Sequence, residues 1–237
     1  MKLCEEAKRT VETGIFTKIQ EVPGVINFAN GQILKGVLER EFNQEDPNKR
    51  IISYTNKRVI EYNTFIRELR EYKQPYVVGE ILSNNESCAL NKTLNLYTDQ
   101  LLQVKKIISE TVDSTIISGH DIKIVKLNVQ DFYTKEEYLI TVFKNNEDRK
   151  KVLKYYSSKK VWDLFFKIKN HFPELRPIAA STAHKAQGSS YDIVIVDLED
   201  IGNCSDKEQV ARMQYVALSR ARNKIYIKGE LPERFFK

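Results

Sequence analysis

Apolar positions fall into two rhythms along the chain. Ile193-Val194-Ile195-Val196 is an unbroken β-branched run ending on Asp197, the pattern of a strand. The shorter run Ile178-Ala179-Ala180 precedes it, and the polar stretch Ser181–Asp192 lies between them. Arg50–Thr55 predicts another strand, and Val59, Tyr62, Ile66 and Leu69 then recur at helical spacing. Strand, polar tip and helix make half of a parallel α/β unit, with Thr55 and Asn56 at the tip and Asn56 placed to cap the helix. Val210, Met213, Gln214 and Ala217 mark a helix opened by the capping box Ser205…Glu208, followed by a last strand over Lys224–Lys228. Residues 1–45 read as helical, with Ile15, Ile19 and Val22 at helix-like spacing before Pro23-Gly24 and a second helix over Ile33–Phe42.

From Gln74 the rhythm becomes that of short strands, over 75–82, 101–108, 122–127 and 138–143, with polar breaks at Asp113-Ser114 and Ser118–Asp121. Such spacing predicts a small β domain over 74–146. In 147–172 the helical period returns. Val161, Leu164, Phe165, Ile168 and Phe172, with Trp162 beside them, predict a core-facing stripe.

The 237 residues, 41% hydrophobic and 30% charged, suit a soluble globular chain of one or two domains. No apolar run approaches the ~18 residues that cross a bilayer, and the N-terminus has no signal-peptide shape. Cys4, Cys88 and Cys204 are scattered, as are the three histidines, which points to a reducing compartment and to no metal site. The net charge of +6 is compatible with nucleic acid without requiring it. None of the nine glycines stands in a G-x-x-x-x-G-K-[ST] loop, and Asp197 is followed by Leu198 where a magnesium-binding pair would need a second carboxylate.

The stretch between the two central runs is dense in donors: Thr182, His184, Lys185 and Gln187, with Gly188 allowing close approach of backbone to an anion. Thr182–Asp192 resembles motif V of superfamily 1 helicases, and Tyr215–Arg222 resembles motif VI, in the family's order and spacing. Glu6-Ala7-Lys8-Arg9-Thr10 is more loosely similar to motif IV; as a residue of ordinary sequence, Arg9 is equally a member of a solvated charge run. Ser190 stands where the 1A branch has a glutamate, which favours the 1B branch, the Dda-like and RecD-like enzymes.

The resemblance implies a second RecA-like lobe of P-loop NTPase type, α/β with a parallel sheet, formed by 1–73 and 147–237 and carrying a Src-homology-3-like β-barrel inserted over 74–146. It assigns Arg220 as an arginine finger, Gln187, Gly188 and Arg9 to ATP, and Thr182, His184, Lys185, Thr55 and Asn56 to single-stranded DNA. ATP and Mg²⁺ are then expected at an interface with a front lobe that carries the phosphate loop, supplied by a separate chain or by a longer product. Cytoplasmic location, or host-cell cytoplasm for a viral chain, goes with this. The residues alone leave a different class open: a non-catalytic module that binds single-stranded nucleic acid or a partner. Capping explains Thr55 and Asn56 without DNA, and the helix dipole explains Arg220 at a helix end without ATP.

Overall fold

The computed structural model describes residues 2–90, 95–117 and 120–236. In chain order come α1 (Lys2–Thr13), β1 (Ile26–Phe28), α2 (Gly31–Phe42), β2 (Lys49–Ser53) and α3 (Asn56–Leu69). Then follow β3 (Ile81–Asn84), β4 (Cys88–Ala89), β5 (Asn95–Leu96), β6 (Leu101–Ile117), β7 (His120–Asp131), β8 (Glu137–Phe143), α4 (Asn146–Ser158), α5 (Trp162–His171) and β9 (Leu175–Pro177). The chain ends with β10 (Ala180–Thr182), α6 (Ala183–Ala186), β11 (Tyr191–Asp197), α7 (Leu198–Ile201), α8 (Lys207–Ser219), β12 (Ala221–Lys228) and a 3₁₀ turn at Glu233–Phe235. They form two compact units, Met1–Glu71 with Ile178–Lys237, and Tyr72–Pro177.

The first unit is a five-stranded parallel sheet in the order β1-β12-β11-β2-β10, with a separate core on each face. The period of two sorts the side chains. Val194, Val196, Ile52, Ile225 and Ile227 join the core under α1 and α8, whereas Ile195, Ile51 and Tyr226 join the core under α2 and α3. Val194, Ile195 and Val196 are fully buried, because this strand is covered on both faces of the sheet. β10 is an edge strand, and the Asn63 side chain closes it: its amide donates to the Ala180 carbonyl (3.2 Å) and its oxygen accepts the Ala180 N–H (2.9 Å). At the N-terminus, α1 ends at Thr13, so Ile15, Ile19 and Val22 lie beyond it; β1 follows instead, parallel to β12.

The second unit is an antiparallel sheet, β8-β7-β6-β3-β9, with a small β4-β5 ladder. The expected barrel takes the form of this sheet; no ladder joins its edges β8 and β9 among the described residues. The break expected at Asp113-Ser114 is a register shift inside the long β6, and part of the break at Ser118–Asp121 lies outside the described residues. The unit also ends later than the strand rhythm predicts, at 177 and not 146. β9 pairs with β3, and Val152, Tyr156 and Ile168 of α4 and α5 bury against Ile116, Ile122 and Phe143 of the sheet, so the helical segment packs where its strands are. Of the predicted stripe, Ile168 is buried and Phe165 and Phe172 pack partly buried against the same core, whereas Val161, Leu164 and Trp162 are exposed.

Candidate functional site

In the parallel sheet the register fixes two opposite edges. Thr182 lies level with Ser53, and Val196 with Ile52, so Thr182, Ser53 and Asp197 share the carboxyl-terminal edge. Tyr191 lies level with Ala221 at the amino-terminal edge. Six residues of strand separate Tyr191 from Asp197, about 20 Å. The stretch 183–190 therefore starts at one edge and finishes at the other.

At the amino-terminal edge this stretch meets the end of α8. Gly188 has φ +88°, a left-handed conformation, and a Cβ there would meet nothing within 4 Å; glycine is needed for the turn and not for space. Arg220, the residue closing α8, is half-buried. Its Nε donates to the Val216 carbonyl (3.2 Å), Nη1 to the Ser189 carbonyl (3.0 Å) and Nη2 to Ser219 Oγ (2.9 Å). Three of its five N–H groups are so engaged, and one on each terminal nitrogen has no partner among the described residues. The Arg220 carbonyl accepts the Tyr191 N–H (2.8 Å), while the Tyr191 ring lies under the Arg50 guanidinium at 4.7 Å. Gln187 is exposed.

At the carboxyl-terminal edge Thr182 caps α6, accepting the Lys185 N–H at 3.3 Å. His184 is exposed and Lys185 half-exposed. The Gln209 amide nitrogen lies 3.4 Å from His184 Nε2, and the Gln209 oxygen is 3.3 Å from the buried Cys204 sulfur. A further hydrogen bond to that thiol raises the Tyr54 phenol above its ordinary pKa. Cys204, Gln209 and His184 thus form one chain of polar contacts. α8 consequently touches the 183–190 stretch at both ends, through Gln209 and through Arg220. Beside it lies a cavity of about 540 Å³ lined by His184, Gln187, Gln209, Arg212 and Tyr215.

Thr55, and not Asn56, is the N-cap of α3, because its side chain accepts the Arg58 N–H at 3.2 Å while Asn56 is the first helical residue. The Thr55 hydroxyl also donates to Asp200 (2.9 Å), whose other oxygen accepts the N–H groups of Tyr54 (2.8 Å) and Thr55 (2.7 Å). Asn56 is left exposed at the tip. Behind it the fully buried Asp197 accepts from the Tyr62 hydroxyl (2.7 Å) and the Asp200 N–H (3.1 Å), facing Lys228 at 3.3 Å and Arg58 at 3.4 Å. Burial, then the Asp197 charge, push the Tyr62 phenol well up. Sequence reasoning missed this cluster. Its signal was the Asp197…Asp200 spacing at the end of the best strand.

Arg9 stands exposed on α1, with no side-chain hydrogen bond or ion pair among the described residues. No group of three or more His, Cys, Asp or Glu among the described residues is placed to hold a metal ion, and no described helix is long and apolar enough to cross a membrane.

Residues 177–227, which carry both edges of this site, match the UvrD-like helicase C-terminal domain. The chain resembles the C-terminal half of a superfamily 1B DNA helicase. Relatives of this helicase-like chain include the ATP-dependent DNA helicase dda of Enterobacteria phage T4, 23% identical, with 89% of this chain and 55% of that protein covered. An uncharacterized protein, R530, of Acanthamoeba polyphaga mimivirus is 28% identical over 57% of this chain and 28% of its own length. The chain thus spans about half, or less, of the relatives it matches. Similar solved structures include the Pif1 helicase from Candida albicans (12% identity, TM-score 0.45, 99% of this chain and 56% of that one). Another is the Bacteroides Pif1 helicase in complex with ADP-AlF3 and single-stranded DNA (14% identity, TM-score 0.44, 100% and 51%).

Proposed function

We propose that the chain is the second motor lobe of an ATP-dependent DNA helicase, acting with a front lobe that carries the phosphate loop and driving 5′-to-3′ movement on single-stranded DNA. The observation that carries this reading is Arg220: a guanidinium anchored at the sheet edge by three bonds, with an N–H left on each terminal nitrogen. Arginine stays charged and offers a planar fork to an anion, which suits the charge that builds on a transferring phosphoryl group. Gln187 and the Gly188 backbone lie in the same turn as Ser189, so they belong to this nucleotide-facing edge, with Arg9 as a further cation. The residues fit the phosphates of ATP but supply no carboxylate cluster for Mg²⁺, which the front lobe would hold. Thr182, His184, Lys185 and Asn56, with Thr55 as their support, take the DNA backbone at the opposite edge, where hydroxyl, imidazole, amide and ammonium groups contact phosphate without reading sequence.

The test is ATP hydrolysis by the chain combined with a front-lobe protein and an oligo-dT strand. Arg220→Ala should lower the rate by on the order of a thousand-fold with the fold intact by circular dichroism. Background hydrolysis by the native assembly, or equal rates for native and variant, would leave the non-catalytic binding module as the reading.

A further inference from the structure

The chain's charge is unevenly placed. Between Asn146 and His171 the α4–α5 hairpin carries eight lysine and arginine residues against three acidic ones, a net +5 where the whole chain has +6. Arg149 is buried against Glu174 (3.3 Å), Lys150 and Lys151 are answered by Glu147 and Asp148, and Lys169 by Glu86 (3.6 Å). Lys154, Lys159, Lys160 and Lys167 are exposed with no acidic partner among the described residues. Aromatic rings stand among them: Tyr155 is 42% exposed, Trp162 49% and Phe166 52%. The rings are held in place. Phe165 meets Trp162 edge-on at 5.7 Å and Phe166 at 5.3 Å, and Tyr156 meets Tyr155 at 5.3 Å. Rings already fixed lose little rotamer freedom when something stacks on them. Lys160 has φ +57° and closes α4, with its N–H on the Ser157 carbonyl and that of Val161 on the Tyr156 carbonyl (both 3.0 Å), a position that favours glycine. The sequence keeps a charge there at a cost in stability.

We propose that the α4–α5 hairpin is a second single-stranded nucleic-acid site, its lysines contacting phosphates and Tyr155, Trp162 and Phe166 stacking on bases. Stacking platforms set in a basic surface are the general solution for binding a single strand without sequence preference. The choice of nucleic acid among polyanions rests on the helicase reading; the charge and the rings do not. A membrane surface fits less well. An interfacial helix turns a broad apolar face outward, whereas α5 turns Ile168 inward and Asp163 and Lys167 interrupt its exposed rings.

Trp162 is the only tryptophan, so its fluorescence reads this site directly. The whole chain is titrated with oligo-dT at several salt concentrations, with an abasic oligonucleotide, and with vesicles of phosphatidylserine and phosphatidylcholine. Oligo-dT should quench Trp162 with salt-dependent affinity, and the abasic strand should bind with little quenching. Phe166→Ala should weaken oligo-dT on the order of 10-fold. Lys160→Gly should raise thermal stability yet weaken binding and lower the salt slope by roughly 0.7, a combination that misfolding cannot produce. Oligo-dT binding without any Trp162 response, unchanged binding by Lys160→Gly, or a response to vesicles alone would overturn the proposal. Quenching in an assembly that hydrolyses no ATP would sink the motor reading and keep this site.

Discussion

Asp200 organises the tip that carries Thr55 and Asn56. It is 3% exposed, and its carboxylate takes three donors: the N–H groups of Tyr54 and Thr55 and the Thr55 hydroxyl, all within 2.9 Å. Asp200→Ala removes all three acceptors at once. A buried donor left without a partner costs about 1–3 kcal/mol. Tyr54 and Thr55 are only half-buried, so water recovers part of this and the loss should be about 3 kcal/mol, a large share of the ~5–15 kcal/mol that holds a typical domain. Asp200→Asn keeps one oxygen that can accept both N–H groups and loses mainly the charge, so it should cost about 1 kcal/mol. Urea unfolding followed by far-ultraviolet circular dichroism measures the difference, and amide hydrogen exchange at Tyr54 and Thr55 localises it. Single-stranded DNA affinity should fall alongside, because the tip is no longer fixed. An alanine variant within about 1 kcal/mol of the native protein, with both amides still protected, would show that Asp200 does not hold the tip.

Two further outcomes follow from the same edge. With Gln209 donating to Nε2, His184 presents Nδ1–H outward, so Gln209→Leu should mix the imidazole tautomers in ¹⁵N spectra and weaken DNA binding a few-fold; an unchanged tautomer would refute the contact. Tyr62 has a phenol pKa raised in the folded state, so its contribution is fully present below the ordinary value near 10 and declines as pH rises from there toward the folded value. Tyr62→Phe should cost about 1 kcal/mol at neutral pH and flatten part of the alkaline fall in thermal stability, and a native and variant that fall in parallel would contradict it.

The parallel sheet was legible because its strands are buried on both faces: Ile193–Val196 admits hardly any other reading, and Val210, Met213, Gln214 and Ala217 are all buried on α8 as their spacing predicts. The paired stretches around Gly188 and Arg220 were legible as a resemblance, and the structure joins them through the Arg220 guanidinium on the Ser189 carbonyl and the Tyr191 N–H on the Arg220 carbonyl. β1 was hidden because three residues carry no period of their own; its place comes from pairing with β12, a partner two hundred residues away. The α5 stripe misled because helical periodicity reports a face, and not whether anything covers it. The cap at Thr55 was missed by one residue, since Thr and Asn are both good caps and only the Asp200 contact decides between them.

The two edges of the sheet are tied by more than one segment. The 183–190 stretch runs from His184 to Ser189, and α8 runs beside it, touching it through Gln209 near one end and Arg220 at the other. Eleven residues of helix separate those contacts, about 16 Å at the helical rise. A helix of that length resists compression, and Ala183 and Ala186 are buried, so the stretch cannot slide freely over it. If an anion at Arg220 draws the guanidinium away from the Ser189 carbonyl, the turn at Gly188 loses its tether while the Gln209 end keeps its own. The stretch must then pivot about the His184 end, which changes how that imidazole is presented. Coupling of this kind needs a ligand at one edge to favour one arrangement over the other. On the proposed function, making or breaking the Arg220–Ser189 bond would supply two such arrangements in the segment assigned to both ligands.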